Sequence, residues 1–421
     1  MQRSFPLSSI VAALILASLA CNVPQLSTPP PTPTETATPP PPPTSPPIPT
    51  HTPAEALPTQ VPPTATAEAT VSPYQPAGYF VVPPAGGSIV VYDLGNQVVA
   101  QLAAPGLYGD NPAYAHLSGH LSNGAADLSV AFFSWEAKAL LLSNQGGVST
   151  LRDVQEFYML AGIPSTPLIA FTQLEYADPG LRSMLSVGEL ANLATAPLVM
   201  TVVDSDSYAV RPLAIAHDQG QARGVYYTLI PYGIGGDIVF EPRLSMKYLD
   251  LASYHGSEVL DIGTSPSGFS PDMSWLAFTP LHSGPMRAAP LANLAAAITL
   301  PLLPDSDRGA GDAVFSPDNQ YIAWKEGSGW MMSETPNFHA TIRIATTSGG
   351  ITAQIPDSAI AALIGNPSNV WVQPVGWLDN TTLLLEARGD EWNEATLLRV
   401  NPDGSGLATL VSGGFMGFVY P

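Results

Sequence analysis

Few side chains in this sequence of 421 residues stand at spacings that could do chemistry. His116 and His120 lie four apart, the spacing that puts two metal ligands on one helical face. Their surroundings, His116-Leu117-Ser118-Gly119-His120-Leu121-Ser122-Asn123-Gly124, read as loop or strand, and no third ligand accompanies them. Asp305-Ser306-Asp307-Arg308-Gly309-Ala310-Gly311-Asp312 has the acid spacing of a calcium loop, but Arg308 intrudes and the distal glutamate of such loops is missing. A solvated turn accounts for it better, and Asp204-Ser205-Asp206 carries less still. No metal and no cofactor is expected. The chain has neither a Gly-x-Ser-x-Gly elbow nor a glycine loop fit to cradle phosphate. Arg388-Gly389-Asp390 spells an adhesive tripeptide, of a kind that chance readily produces. No catalytic residue is assigned.

The residues best suited to recognition are aromatics and methionines in three stretches, 231–245, 326–340 and 387–395. They are Tyr232, Trp330, Met331, Met332, Phe338, His339 and Trp392. Exposed rings converging on a concave surface are what a binding site needs. The competing reading folds these rings back over the edges of neighbouring sheets. An enzymatic alternative, a glycan lyase or hydrolase, would gather carboxylates with His282 or His339 in a central funnel. Whether such stretches converge depends on the elements that carry them.

Composition bounds those elements. Hydrophobic residues make up 45% and charged residues 11%, which describes a globular body with a polar, uncharged surface. The net charge is −20. A surface that acidic repels phosphate backbones and anionic headgroups, so nucleic acid is not an expected partner and membrane contact needs another cause. Cys21 is the only cysteine, so no disulfide can form within the chain. Ahead of it, Arg3 and an apolar run of about 14 residues suit a secretory segment, too short to span a bilayer. Leu16-Ala17-Ser18-Leu19-Ala20-Cys21 resembles a bacterial lipobox, which implies that Cys21 becomes the lipidated first residue of the exported chain. Ser18 stands where that motif prefers a branched aliphatic. Read without the resemblance, Ser18-Leu19-Ala20 is a small-x-small cleavage site that releases a soluble protein with a free thiol. Residues 22–73 follow, dominated by Pro and Thr, as in Thr38-Pro39-Pro40-Pro41-Pro42-Pro43-Thr44. Consecutive prolines remove donors and fix φ, so this stretch is expected to be a disordered, extended stalk on the order of 150 Å long.

From Tyr74 onward, short apolar runs alternate with Gly, Asp, Asn and Pro, the pattern of an all-β fold. Helical readings are limited to short pieces at 187–193 and 288–297. Seven core runs align at a mean spacing of about 50 residues: Tyr79-Phe80-Val81-Val82, Val130-Ala131-Phe132-Phe133, Leu168-Ile169-Ala170-Phe171, Val225-Tyr226-Tyr227, Trp275-Leu276-Ala277-Phe278, Tyr321-Ile322-Ala323-Trp324 and Thr382-Leu383-Leu384-Leu385. Most are followed by two more strands around a polar turn. Two runs are preceded by the same turn, Phe269-Ser270-Pro271-Asp272-Met273-Ser274 and Phe315-Ser316-Pro317-Asp318-Asn319-Gln320; Val375-Gly376-Trp377-Leu378-Asp379-Asn380 is a partial third. These stretches resemble the PD40 repeats of TolB-like, WD40-like propellers, with Met273 and Asn319 where that family usually has glycine. Pro presets φ and Asp accepts turn N–H groups, so Asp272 and Asp318 are expected to make turns rather than bind ligand.

Four strands per unit, seven times, predicts a seven-bladed β-propeller, with six or eight blades left open by the register of the second unit. The first unit starts late and the last overruns through Phe415-Met416-Gly417-Phe418-Val419-Tyr420. The C-terminal segment is therefore expected to close the ring as the innermost strand of the first blade. The expected domains are a signal segment over 1–21, a linker over 22–73 and a propeller over 74–421. The expected role is binding or scaffolding of an envelope protein or polysaccharide by a monomer held at the outer face of the membrane through its lipid alone.

Overall fold

The computed structural model describes residues 74–420 apart from 105–106, 108–118, 121–128, 135–138, 145–146, 154–155, 163–167, 177–179, 190–191, 193–194, 205–207, 219–220, 232–242, 281–283, 305–307, 329–338, 366–369 and 390–394. All described residues belong to the unit Glu68–Pro421. The first strands are β1 (Gly78–Val82), β2 (Ser88–Asp93) and β3 (Val98–Ala103). A two-residue strand, β4 (Gly119–His120), precedes β5 (Ser129–Ser134), β6 (Ala139–Asn144) and β7 (Gly147–Asp153). Five sheets of four strands then follow in chain order. The first holds β8 (Glu156–Gly162), β9 (Leu168–Tyr176), β10 (Leu181–Glu189) and β11 (Leu198–Asp204). The next holds β12 (Tyr208–Asp218), β13 (Gln221–Pro231), β14 (Leu244–Asp250) and β15 (Gly256–Leu260). After it come β16 (Thr264–Phe269), β17 (Trp275–Pro280), β18 (Met286–Pro290) and β19 (Ile298–Leu300). The fourth is β20 (Arg308–Phe315), β21 (Tyr321–Ser328), β22 (His339–Thr346) and β23 (Ile351–Pro356). The last is β24 (Trp371–Asp379), β25 (Thr382–Arg388), β26 (Ala395–Val400) and β27 (Ala408–Ser412), and β28 (Gly414–Tyr420) ends the chain.

The fold is an all-β propeller of four-stranded blades, and it has six of them rather than the expected seven. β28 lies beside β1, which gives the first blade the order β28-β1-β2-β3, and the five sheets above are the others. The second core run does form β5, but only in a three-stranded sheet with β6 and β7. The short strand just upstream pairs elsewhere: Gly119 and His120 run parallel to Val419 and Tyr420, on the far side of β28. An apolar run reports that a strand is buried on both faces. It does not report whether an inner neighbour exists, and that is where the count went astray.

Burial peaks at the second strand, with the innermost strands β16, β24 and β28 only half-buried along the channel, which is why the second strand is the legible one. β1 is buried throughout, and β9 and β25 nearly so. Strands covered on both faces need apolar side chains in unbroken runs. The outermost strands β3, β11 and β27 are mostly exposed or half-buried. The two stretches read as short helices are strand instead at Val187 in β10 and at Ala288 in β18, with one 3₁₀ turn at Leu294–Ala296. A helix that the periodicity did not reveal, α1 (Asp357–Ile364), links β23 to β24. It buries Ile360 and Ala361 in the core shared by the last two blades, and Gly365 at φ 72° ends it by donating to the Ala361 carbonyl.

Closure joins the two ends of the described chain. Gly78 pairs with Val419, Tyr79 with Phe418 and Phe80 with Gly417. A buried carboxylate helps to hold the joint: Glu386 in β25 accepts the Phe415 N–H at 2.7 Å and the Arg388 Nε at 2.9 Å. Burial pushes the Glu386 carboxyl upward, while Arg388 and the Phe415 N–H pull it back. The fifth blade repeats the device, with Glu326 holding Arg343 at 2.8 Å and the backbone N–H of Leu303 in the link that enters β20. Removing residues 414–421 is therefore expected to abolish cooperative unfolding in urea. A sharp transition at the wild-type midpoint would show that closure is dispensable.

Candidate functional site

The innermost strands converge on the axis, and each breaks its regular pleat at least once, β12 and β24 twice. Register shifts fall between Pro212 and Ala214 in β12, Pro266 and Gly268 in β16, Gly311 and Val314 in β20, and Pro374 and Gly376 in β24. β8 shifts between Phe157 and Met159, and β28 steps from Gly417 to Phe415 against β1. Such a bulge leaves a residue without a partner, bends the strand and re-aims the side chain. Three of the bulges carry proline, whose missing N–H is tolerated where the ladder is already interrupted. The unpaired residues Leu213, Ser267, Ala313 and Val375 all line one cavity of about 410 Å³.

The cavity occupies the end of the channel where innermost strands turn into second strands. Phe269, Trp377, Phe418 and Tyr420 wall it, and Pro271, Met273 and Pro317 from the Ser-Pro-Asp turns lie at its rim. Two glycines let the wall close up. A Cβ on Gly268 would run into the Ala313 carbonyl, and one on Gly376 into the Phe418 ring. Bonds between blades fix the wall. Ala313 N–H donates to Ser267 Oγ at 3.0 Å, and Trp377 Nε1 donates to the Val314 carbonyl at 3.2 Å.

Charge in this lining runs against that of the molecule. Among the described residues it contains Arg211 and Arg243 and no Asp, Glu, His or Lys. Arg243 Nη1 donates to the carbonyls of Pro266 at 3.0 Å and Ser267 at 3.4 Å, so it is held by the bulge of the next blade. Burial lowers the Arg243 pKa, and Asp312 opposes that effect. Asp312 sits in the β20 bulge at φ 54° and meets the buried Lys325 Nζ at 2.7 Å. Burial also pushes the Tyr420 phenol well above its usual range.

The Ser-Pro-Asp turns make the rim rigid. Asp318 accepts the Ser316 hydroxyl at 2.6 Å and the Gln320 N–H at 3.0 Å, and Ser316 Oγ accepts the Tyr321 N–H at 3.0 Å. Asp272 does the same with Ser270 and Ser274, and also accepts Asn319 Nδ2 from the next blade at 2.8 Å. Burial works against ionisation of Asp272, but these hydrogen bonds outweigh it and hold its carboxyl below the ordinary range. Both acids thus make turns, as their spacing implies, and the turns themselves border the cavity.

Of the residues singled out for binding from sequence, the structure describes only His339. Tyr232, Trp330, Met331, Met332, Phe338 and Trp392 lie outside the described residues, as do Cys21, His116 and His282. His339 opens β22, is exposed and is not part of the cavity lining. Its Nδ1 stands 3.0 Å from Asp357 Oδ2, which also accepts the Ala340 N–H at 3.1 Å. The stretches carrying these residues are shorter than they read, because β21 runs on through Glu326 to Ser328 and β25 through Ala387 to Arg388. Arg388 is 3% exposed and lies over the Trp371 ring, which removes it from any adhesive tripeptide. Among the described residues no three His, Cys, Asp or Glu side chains gather as a metal site, and no helix is long and apolar enough to cross a membrane. The cavity left a sequence signal of its own: Pro266-Ser267-Gly268-Phe269 and Pro374-Val375-Gly376-Trp377 share a Pro-x-Gly-aromatic pattern just before the turn. A proline within an apolar run marks the bulge.

No protein-family model and no curated protein matches the chain. Among solved structures it is similar to TolB from Acinetobacter baumannii, at 12% identity over 79% of this chain and 78% of that one, with a TM-score of 0.42. A puromycin-hydrolyzing peptidase from Mycobacterium tuberculosis is 12% identical over 81% of this chain and 54% of its own, with a TM-score of 0.49. Prolyl oligopeptidase B from Galerina marginata is 10% identical over 82% and 52%, with a TM-score of 0.45. The chain spans about half the length of each of these two enzymes. Likeness at this level carries no inference about chemistry.

Met273 and Asn319 occupy the left-handed region at φ 60° and 59°. Asn tolerates that region and its side chain bonds across the blades, whereas Met does neither. Met273→Gly is expected to raise stability by roughly 0.5–1 kcal/mol, the relief of backbone strain less the extra entropy of glycine. Asn319→Gly is expected to lower it by about 1 kcal/mol through the lost hydrogen bonds. Equilibrium denaturation in urea measures both, and changes of the same sign would contradict the account of the rim.

Proposed function

We propose that the chain is an exported binding propeller, anchored through Cys21 and lifted on the stalk of residues 22–73, whose ligand sits in the channel cavity. The observation that carries this reading is the cavity's make-up: an aromatic and aliphatic wall, two arginines and a rim of fixed turns. A volume of about 410 Å³ falls within the roughly 300–1,000 Å³ typical of small-ligand pockets. The glycan lyase or hydrolase reading asks for a paired acid and base at one place. The described lining supplies no carboxylate or imidazole, and His339 is engaged with Asp357 away from it. Binding is therefore the better supported activity. In the same reading Tyr232, Trp330, Met331, Met332, Phe338, His339 and Trp392 form a second contact surface for an envelope protein or polysaccharide. The Asp357 bonds to His339 and Ala340 favour this by fixing the base of one of those stretches.

The test is a thermal-shift screen of the purified protein against short peptides and oligosaccharides. Compounds that raise the melting temperature are expected to lose their effect in Val375→Trp, which fills the cavity from a bulge. They are expected to keep it when the seven residues of the second surface are changed to alanine. The reverse pattern, with ligands surviving Val375→Trp and failing in the sevenfold variant, would move the site out of the channel.

A further inference from the structure

Resting on the channel reading, we propose that the cavity selects a carboxylate carried on an apolar body, with Arg211 and Arg243 engaging the carboxylate and the aromatic wall covering the remainder. The first ground is charge. The whole chain carries −20, yet the described lining of its channel holds two guanidiniums and no carboxylate. Among the described residues the acid that acts on Arg243 is Asp312, which itself lies 2.7 Å from the buried Lys325 Nζ. In an acidic molecule, a low-dielectric cleft lined by cations concentrates anions. A guanidinium also offers the planar fork that matches a carboxylate.

The second ground is what the wall lacks. Sugar hydroxyls call for hydrogen-bonding side chains, and the described lining has no Asn, Gln, Asp, Glu or His. Its two serines are already engaged, Ser267 with the Ala313 N–H and Ser270 with Asp272 and the Trp275 N–H. Rings and branched aliphatics are prominent in the surface, among them Phe269, Val314, Trp377 and Phe418. One charged end and an apolar body suits two guanidiniums set in a wall of rings and aliphatics. The third ground is preorganisation. The Pro266 and Ser267 carbonyls hold Arg243 before any ligand arrives, so little order is lost on binding.

Two sources present this chemistry, a free aryl or alkyl acid and the C-terminus of an apolar peptide. The experiment is calorimetric titration of the full chain at low salt with 3-phenylpropionate, 3-phenylpropionamide, and acetyl-Ala-Phe as acid and as C-terminal amide. The acids are expected to bind about tenfold or more tightly than their amides. Arg211→Gln and Arg243→Gln are each expected to cut acid binding by a similar factor and to lower the acid-to-amide ratio, with partial recovery in Arg243→Lys. A peptide acid stronger than 3-phenylpropionate assigns the peptide source, and the opposite order assigns the free acid. Acid and amide binding equally in the wild-type protein would overturn the carboxylate inference, as would acids that fail to bind at millimolar concentration. The acid-to-amide ratio needs no variant, so a misfolded Arg243→Gln leaves the test intact. Equal binding that Val375→Trp abolishes would remove the carboxylate preference and keep the channel. Acid binding that persists in Val375→Trp would remove the channel itself.

Discussion

Everything in this structure depends on the pairing of β28 with β1. A ring of twisted sheets has two ends, and each end is a row of unmatched backbone groups until the other covers it. Tyr79 opposite Phe418 and Phe80 opposite Gly417 complete the first blade from both ends of the fold. The joint also completes the channel, because Phe418 and Tyr420 belong to the closing strand and wall the cavity. Glu386 ties the last blade to the same strand through the Phe415 N–H. Stability and site are therefore built from the same residues.

Convergence of the inner strands explains the rest. Six strands directed at one axis crowd each other, and a bulge at the same level in each relieves the crowding by letting the strand bend. In four of the strands a residue that loses its partner there lines the cavity. Ser267, Leu213 and Val375 become lining for that reason, and Arg243 reaches the channel by holding the carbonyls of the Pro266–Ser267 bulge. The arginines are an exception in an acidic protein: Arg211 belongs to β12, and Arg243, just before β14, is held by the carbonyls of β16.

How much of this was legible follows from what each pattern reports. Runs such as Leu383-Leu384-Leu385 report burial on both faces, so the second strands and the propeller class could be read. Phe415 to Tyr420 left over after the last unit made closure readable too. The blade count could not be read, because Val130 to Phe133 has the same composition whether or not an inner strand lies beside it. The aromatics in the longest connections, Trp330 and Trp392 among them, are conspicuous in the sequence and lie outside the described residues. The lining of the channel cavity is written in small residues and prolines, Pro266-Ser267-Gly268 and Pro374-Val375-Gly376, whose meaning depends on strand register. Asp272 and Asp318 were legible as turn-makers, but their position at a rim was not.

The most direct measurement of the central claim is hydrogen exchange of backbone amides with and without saturating 3-phenylpropionate. If the channel is the site, exchange slows at Leu213, Ser267, Gly268 and Val375, whose strands carry the bulges. Slowing confined to residues 326–340 and 387–395, with the channel amides unchanged, would contradict it.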